Sequence, residues 1–206
     1  MILPPSTEPS PRPIARRHRP DPRKGRRGYR SYRDCLRWEF GFTCCFCLLH
    51  EADLAVGGAE GLGVTGVEHF HPVADAAEAA GDYQNCFYAC RLCNGARSSA
   101  PISQGGKHLL NPCDSAWGEL FEARDDRLAP RRRDSDAEHT EQIYDLNDPR
   151  KVRARRLRRE RLSELLELVQ QGPRRVESLL RSGEKYRDPE ILEAAENLHR
   201  CIRLSA

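Results

Sequence analysis

The chain has 206 residues, of which 38% are hydrophobic, 7% aromatic and 32% charged, with a formal net charge of +3. That length accommodates one domain or two small ones, but the apolar supply is lean, so part of the fold has to be held by something other than burial. No run of 18 apolar residues occurs and the first residues lack an apolar stretch of signal-peptide length, so neither a membrane-spanning helix nor a secretory leader is expected, and the expectation is a cytoplasmic protein.

Charge is segregated along the chain. Residues 1–34 hold ten Lys or Arg against three acids, residues 51–90 hold seven acids and no Lys or Arg, and residues 150–161 hold eight bases and one acid. An acidic centre between two basic stretches fits a cation site beside a surface for a polyanion, nucleic acid being the obvious one; a solvated charged face is the plainer alternative. Residues 1–28, rich in Pro, Arg and Ser, are expected to be a flexible basic N-terminal arm. In "YRSYRDCLRWEF", Tyr32, Cys35, Leu36 and Phe40 recur at helical spacing, with Gly41 as a stop. The alternating "GVTGVEHFHPV" reads as a strand ending at Pro72, "YQNCFYAC" reads as a second extended run, and "ADAAEAAGD" connects them. The stretch after Cys93 is loop-rich, with a helical turn after Asn94. Residues 113–149 read as a partly ordered connecting segment with a strand or two beside the core.

The clearest helix covers 154–171, with Leu157, Leu162, Leu165, Leu166 and Val169 on one side and Arg or Glu on the other, and Gly172 and Pro173 are expected to end it. Shorter helices over 176–181 and 190–203 complete a helical C-terminal region, residues 150–206. The expected fold class is α+β.

Nine cysteines in a reducing compartment point to metal ligation rather than disulfides. Cys44 and Cys47 form one Cys-x-x-Cys, and Cys90 and Cys93 form another. Two such turns present four thiolates to one point, as a tetrahedral structural zinc requires, and its binding would offset the lean core. Cys45 is a competing ligand. Cys35, Cys86, Cys113 and Cys201 have no ligand-spaced partner and read as small buried hydrophobes.

Between the knuckles, "VEHFHP" sets an acid directly before a histidine, and "NCFYACRLCNGAR" carries Asn85, Asn94 and Arg97 around the second knuckle. In this order the elements resemble the HNH endonuclease family: acid-His, a central Asn, then Cys-x-x-Cys followed by His or Asn and a basic residue. The match spans residues 44–97. The resemblance implies a zinc-stapled ββα-metal core over 29–112 and hydrolysis of phosphodiester bonds, with His69 as general base and Glu68 and Asn94 as ligands of one catalytic divalent cation. Oxygen ligands suit Mg²⁺ or Mn²⁺, and the departure from members with a histidine at the place of Asn94 points away from a zinc- or nickel-driven reaction. It also implies that Asn85 ties down the loop orienting His69, and that Arg97 faces the scissile phosphate as a bidentate donor. His71 is the rival base.

The basic arm and the face built from Arg153, Arg155, Arg156, Arg158, Arg159 and Arg161 are the expected phosphate contacts. The flanking "RPIARR" and "LLNPCDSAW" resemble a bacterial subgroup of HNH proteins that includes nucleases of anti-phage defence systems such as Septu and some retrons, which work with an ATPase partner. DNA is the expected substrate. The alternatives are RNA cleavage by the same site, or a non-catalytic zinc-ribbon module binding nucleic acid or serving as an adaptor, which needs no Glu68, His69 and Asn94 together.

Overall fold

The structure is a computed structural model and describes residues 9, 12–18, 20, 28–56, 65–72, 77–98, 100–186, 193 and 196. The chain divides into two units, Ser6–Leu157 and a second that holds Arg158–Ala206. The fold is mixed, with six α-helices and three two-stranded antiparallel sheets among the described residues. No described helix is long and apolar enough to cross a membrane.

In the first unit, a 3₁₀ turn over Gly28–Tyr32 leads into α1, Arg33–Glu39, which buries Leu36 and stops where Gly41 takes a φ of 57°. The first knuckle follows, and then α2, Glu51–Val56, a short helix the sequence reading did not foresee. Strand β1, Thr65–His69, pairs with β2, Cys86–Cys90, in a register that sets Thr65 opposite Cys90 and His69 opposite Cys86. All five residues of β2 are buried, because it lies inside the unit rather than at a half-wet edge. Helix α3, Arg91–Arg97, begins directly after β2, with the Cys90 sulfur accepting the Cys93 amide at 3.5 Å as its cap.

The segment expected to connect two regions is instead part of this unit. After the short pair β3, Ser103–Gln104, and β4, Lys107–His108, which precedes it, this segment forms α4, Trp117–Leu120, the hairpin of β5, Phe121–Arg124, and β6, Arg127–Pro130, which are the strands expected beside the core, and α5, Ser135–Ile143. Asp134 caps α5 by accepting the amides of Asp136 and Ala137, a start signal legible in the sequence that went unread. Phe121, Leu128, Tyr144 and Leu146 join Leu36, Phe46 and Phe87 in one core. Tyr144 stacks on Phe46 with ring centres 3.9 Å apart, so the segment supplies apolar surface that the first 112 residues lack.

Two further expectations need correction. Within the basic arm, residues 12–18 are docked: the Ile14 amide bonds the Pro112 carbonyl at 2.9 Å, and the buried Arg16 guanidinium pairs with Glu39 at 2.9 Å. Arg16 also lies 5.2 Å from the Phe40 ring centre, 4.9 Å from Tyr83 and 5.2 Å from Phe87. Local composition predicts flexibility, but an aromatic cage built from distant residues captures the cation. Residues 1–8 and 21–27 lie outside the described residues.

The long helix α6, Pro149–Tyr186, does not stop at Gly172 and Pro173. A proline removes one intrahelical donor, and here the Arg-, Glu- and Leu-rich turns on either side carry the helix across that gap. Of the helix expected over 190–203 only Glu193 and Glu196 are described, both helical, and Cys201 lies outside the described residues.

Candidate functional site

The four knuckle sulfurs gather at one point. Cys44, Cys47, Cys90 and Cys93 are all buried, and their Sγ atoms lie within 4.8 Å of one another. Cys47 and Cys90 are 3.7 Å apart, against about 3.8 Å for the edge of a tetrahedron with metal–sulfur bonds of about 2.3 Å. The first knuckle can turn so tightly because Leu48 adopts a left-handed φ of 62°, which lets its amide reach the Cys44 carbonyl at 3.0 Å while the Cys44 amide reaches the Leu49 carbonyl at 3.0 Å. The cluster could hold a metal ion such as zinc. Hydrogen bonds from Cys44, then Cys90 and Cys93, pull the Cys47 thiol well below its ordinary value, whereas burial pushes Cys93 well up. Cys45, the competing ligand, is not in the cluster; burial pushes its thiol well up, and its amide bonds the Tyr88 carbonyl at 3.0 Å, joining the first knuckle to β2.

The second group lies along β1 and α3. Asn94 is half-buried, and its Nδ2 donates to the Val67 carbonyl at 3.4 Å. The same Nδ2 lies 3.9 Å from where a Cβ on Gly66 would sit. Gly66 and Glu68 share a strand face, so Asn94 is on the Glu68 side of β1 and its Oδ1 is left for a ligand. Glu68 is 7% exposed and accepts no hydrogen bond from the described residues. Burial raises its carboxyl to about 8, although Arg97 pulls the other way.

His69 projects to the other face, where its ring meets Tyr29 edge-on at 4.5 Å and its Nε2 lies 3.1 Å from the Ala80 carbonyl. A carbonyl only accepts, so Nε2 carries the hydrogen and Nδ1 keeps its lone pair. Burial holds the His69 imidazole below its ordinary value, which keeps it neutral at pH 7. No family model, curated protein or solved structure matches this chain.

Asn85 is buried and spans the turn after β1. Its Oδ1 accepts the His71 amide at 2.7 Å, and its Nδ2 donates to the carbonyls of His71 at 3.0 Å and Ala79 at 3.2 Å. His71, the rival base, is exposed and sits past the end of β1.

Arg97 departs from expectation. It is 0% exposed, with Nη2 donating to the Phe70 carbonyl at 3.2 Å and with Nε and Nη1 making no hydrogen bond within normal geometry among the described residues. A phosphate on the surface is out of its reach, and Tyr144, which follows α5, is one of the groups that interact with it inside the protein. The expected basic face of α6 is likewise uneven: Arg156 pairs with Asp126 at 3.4 Å, whereas Arg155 is buried. Lys151, part of the charge run, and Arg155, expected on the phosphate-contacting face, both turn inward. Their spacing of four residues, which puts both on one helix face, was the one local signal.

Proposed function

We propose that this chain is a metal-dependent endonuclease of the HNH kind that hydrolyses phosphodiester bonds in DNA, with a structural zinc in its four-cysteine cluster. The observation that carries the reading is an arrangement: a strand bearing Glu68 and His69, an antiparallel strand, and then a helix that sets Asn94 against the first strand, its start stapled to the sheet by the cysteines. A zinc-binding module that only docks on nucleic acid has no need of an acid, a neutral imidazole and a carboxamide along the same hairpin.

In this reading Nδ1 of His69 takes the proton from the attacking water, the Ala80 carbonyl holding the ring in the tautomer that leaves Nδ1 free. Asn85 fixes the segment that follows His69 and so the direction of its ring. Glu68 and Asn94 offer uncommitted oxygens and would hold the divalent cation, Mg²⁺ or Mn²⁺, which when bound supplies positive charge for the phosphate and the leaving oxygen. Arg97 contributes a positive field from inside the protein rather than a contact with the phosphate. Exposed arginines at 12, 17 and 30 are placed to neutralise backbone phosphates without reading sequence. An anti-phage role beside an ATPase partner belongs to the same proposal.

The burial of Arg97 and the raised Glu68 carboxyl favour a second reading, a non-catalytic zinc-ribbon module. A nicking assay on supercoiled plasmid with Mg²⁺ or Mn²⁺ separates the two. Wild type is expected to cut, and His69→Ala to cut about 100-fold more slowly or less while binding DNA equally well. Equal binding with no cutting by either protein would establish the binding module, and cutting confined to a structured RNA run in parallel would move the substrate to RNA.

A further inference from the structure

Two cations in the first turns of α6 are buried and form no ion pair with a carboxylate among the described residues. Lys151 is 0% exposed, and its ammonium donates to the carbonyls of Tyr144 at 2.7 Å and Asp145 at 2.8 Å, just past the end of α5. One turn further, Arg155 is 6% exposed and donates to the carbonyls of Leu146 at 2.7 Å, Asp126 at 3.2 Å and Cys47 at 3.2 Å. Neither forms an ion pair with a carboxylate; the neighbouring pairs, Arg150 with Asp148 and Arg156 with Asp126, use other residues. Carbonyl dipoles satisfy the donors but leave the net charge in place, and an uncompensated buried charge is destabilising.

The Cys47 carbonyl that Arg155 binds belongs to a residue of the cysteine cluster, and once burial is set aside the cysteines are what both cations feel most. Cys93, Cys47 and Cys90 act on Lys151, and Cys47, Cys93, Cys44 and Cys90 act on Arg155. A dication held by four thiolates carries a net charge of two minus, and Lys151 with Arg155 carries two plus.

We propose that Lys151 and Arg155 are the counter-charges of a tetrathiolate-bound dication, so that metal loading and the seating of the first turns of α6 on the knuckles form one coupled equilibrium. The proposal rests on reading the cysteine cluster as a metal site. It makes residues 149–157 part of that site, although no ligand lies in them. By linkage the effect runs both ways: metal tightens the helix start, and the helix start tightens the metal.

The test uses the full chain and Co²⁺ as a visible stand-in for zinc, titrated in competition with a chelator. Lys151→Met and Arg155→Met, which keep length and remove charge, are expected to weaken Co²⁺ binding about ten-fold each or more, whereas Lys151→Arg keeps most of the affinity. Hydrogen exchange on the wild type gives a second readout that requires no variant to fold: stripping the metal should speed exchange across 149–157 about ten-fold or more, to an extent that tracks the metal removed. Wild-type affinity in both Met variants, or exchange over 149–157 that ignores the metal, would overturn the coupling alone. A wild type that never develops the sulfur-to-cobalt charge-transfer bands of a four-thiolate site would overturn the metal reading and the coupling with it.

Discussion

Glu68 is the residue whose environment departs furthest from its sequence. A glutamate next to a histidine reads as a solvated ligand, yet the chain buries it beside Arg97 and lifts its carboxyl to about 8. In the metal-free protein the folded form therefore keeps a proton that the unfolded chain gives up near its ordinary value of 4.5. The stabilisation is complete below that value and is lost as pH rises through about 8. Denaturant midpoints of the chelated protein should fall across this window, and Glu68→Gln should remove a slope worth on the order of a few kcal/mol. A slope unchanged in the variant would place the titration elsewhere. The acid, the histidine and the two asparagines could be singled out from their order, because the motif they resemble constrains residue type and local spacing. The inward turn of Arg97 could not, since Tyr144, one of the groups it meets inside the protein, lies far along the chain.

At the scale of elements, the hairpin of β1 and β2 is tied at both ends by different means. At the Thr65 and Cys90 end the cysteine cluster joins the sheet to α3, and at the His69 and Cys86 end Asn85 closes the connection with its three hydrogen bonds. Asn85→Ala leaves the amide and carbonyl of His71 and the carbonyl of Ala79 without that partner, so the stability loss should be on the order of 1 to 3 kcal/mol, read as a lower urea midpoint at unchanged slope. Asn85→Asp should do no better, since a carboxylate accepts from His71 but cannot donate to either carbonyl. The start of α6 was legible, with Asp148 accepting the Arg150 amide and Pro149 at the first helical position. Its length was not, because a Gly-Pro stop is a local penalty that neighbouring turns can outweigh.

For the whole molecule, the docking of the N-terminal segment carries the clearest test. Arg16→Ala removes the cation from the cage of Phe40, Tyr83 and Phe87 and leaves Glu39 with the amides of Arg17 and His18 and the Tyr83 hydroxyl. Residues 12–18 should then become accessible to trypsin, with a stability loss of about 1 to 2 kcal/mol; protection equal to wild type would mean that the backbone bonds of Ile14, Arg17 and His18 hold the segment without the cation. The sequence by itself determined the α+β character, the pairing of the two knuckles and the residue types available for chemistry, because these follow from periodicity, composition and spacing within a few turns of chain. Only the tertiary structure decided that Arg16 is caged, that Arg97 faces inward, that residues 113–149 belong to the core, and that Lys151 and Arg155 turn toward the cysteines. Burial and charge balance depend on which distant segments meet, and short-range patterns carry no record of that.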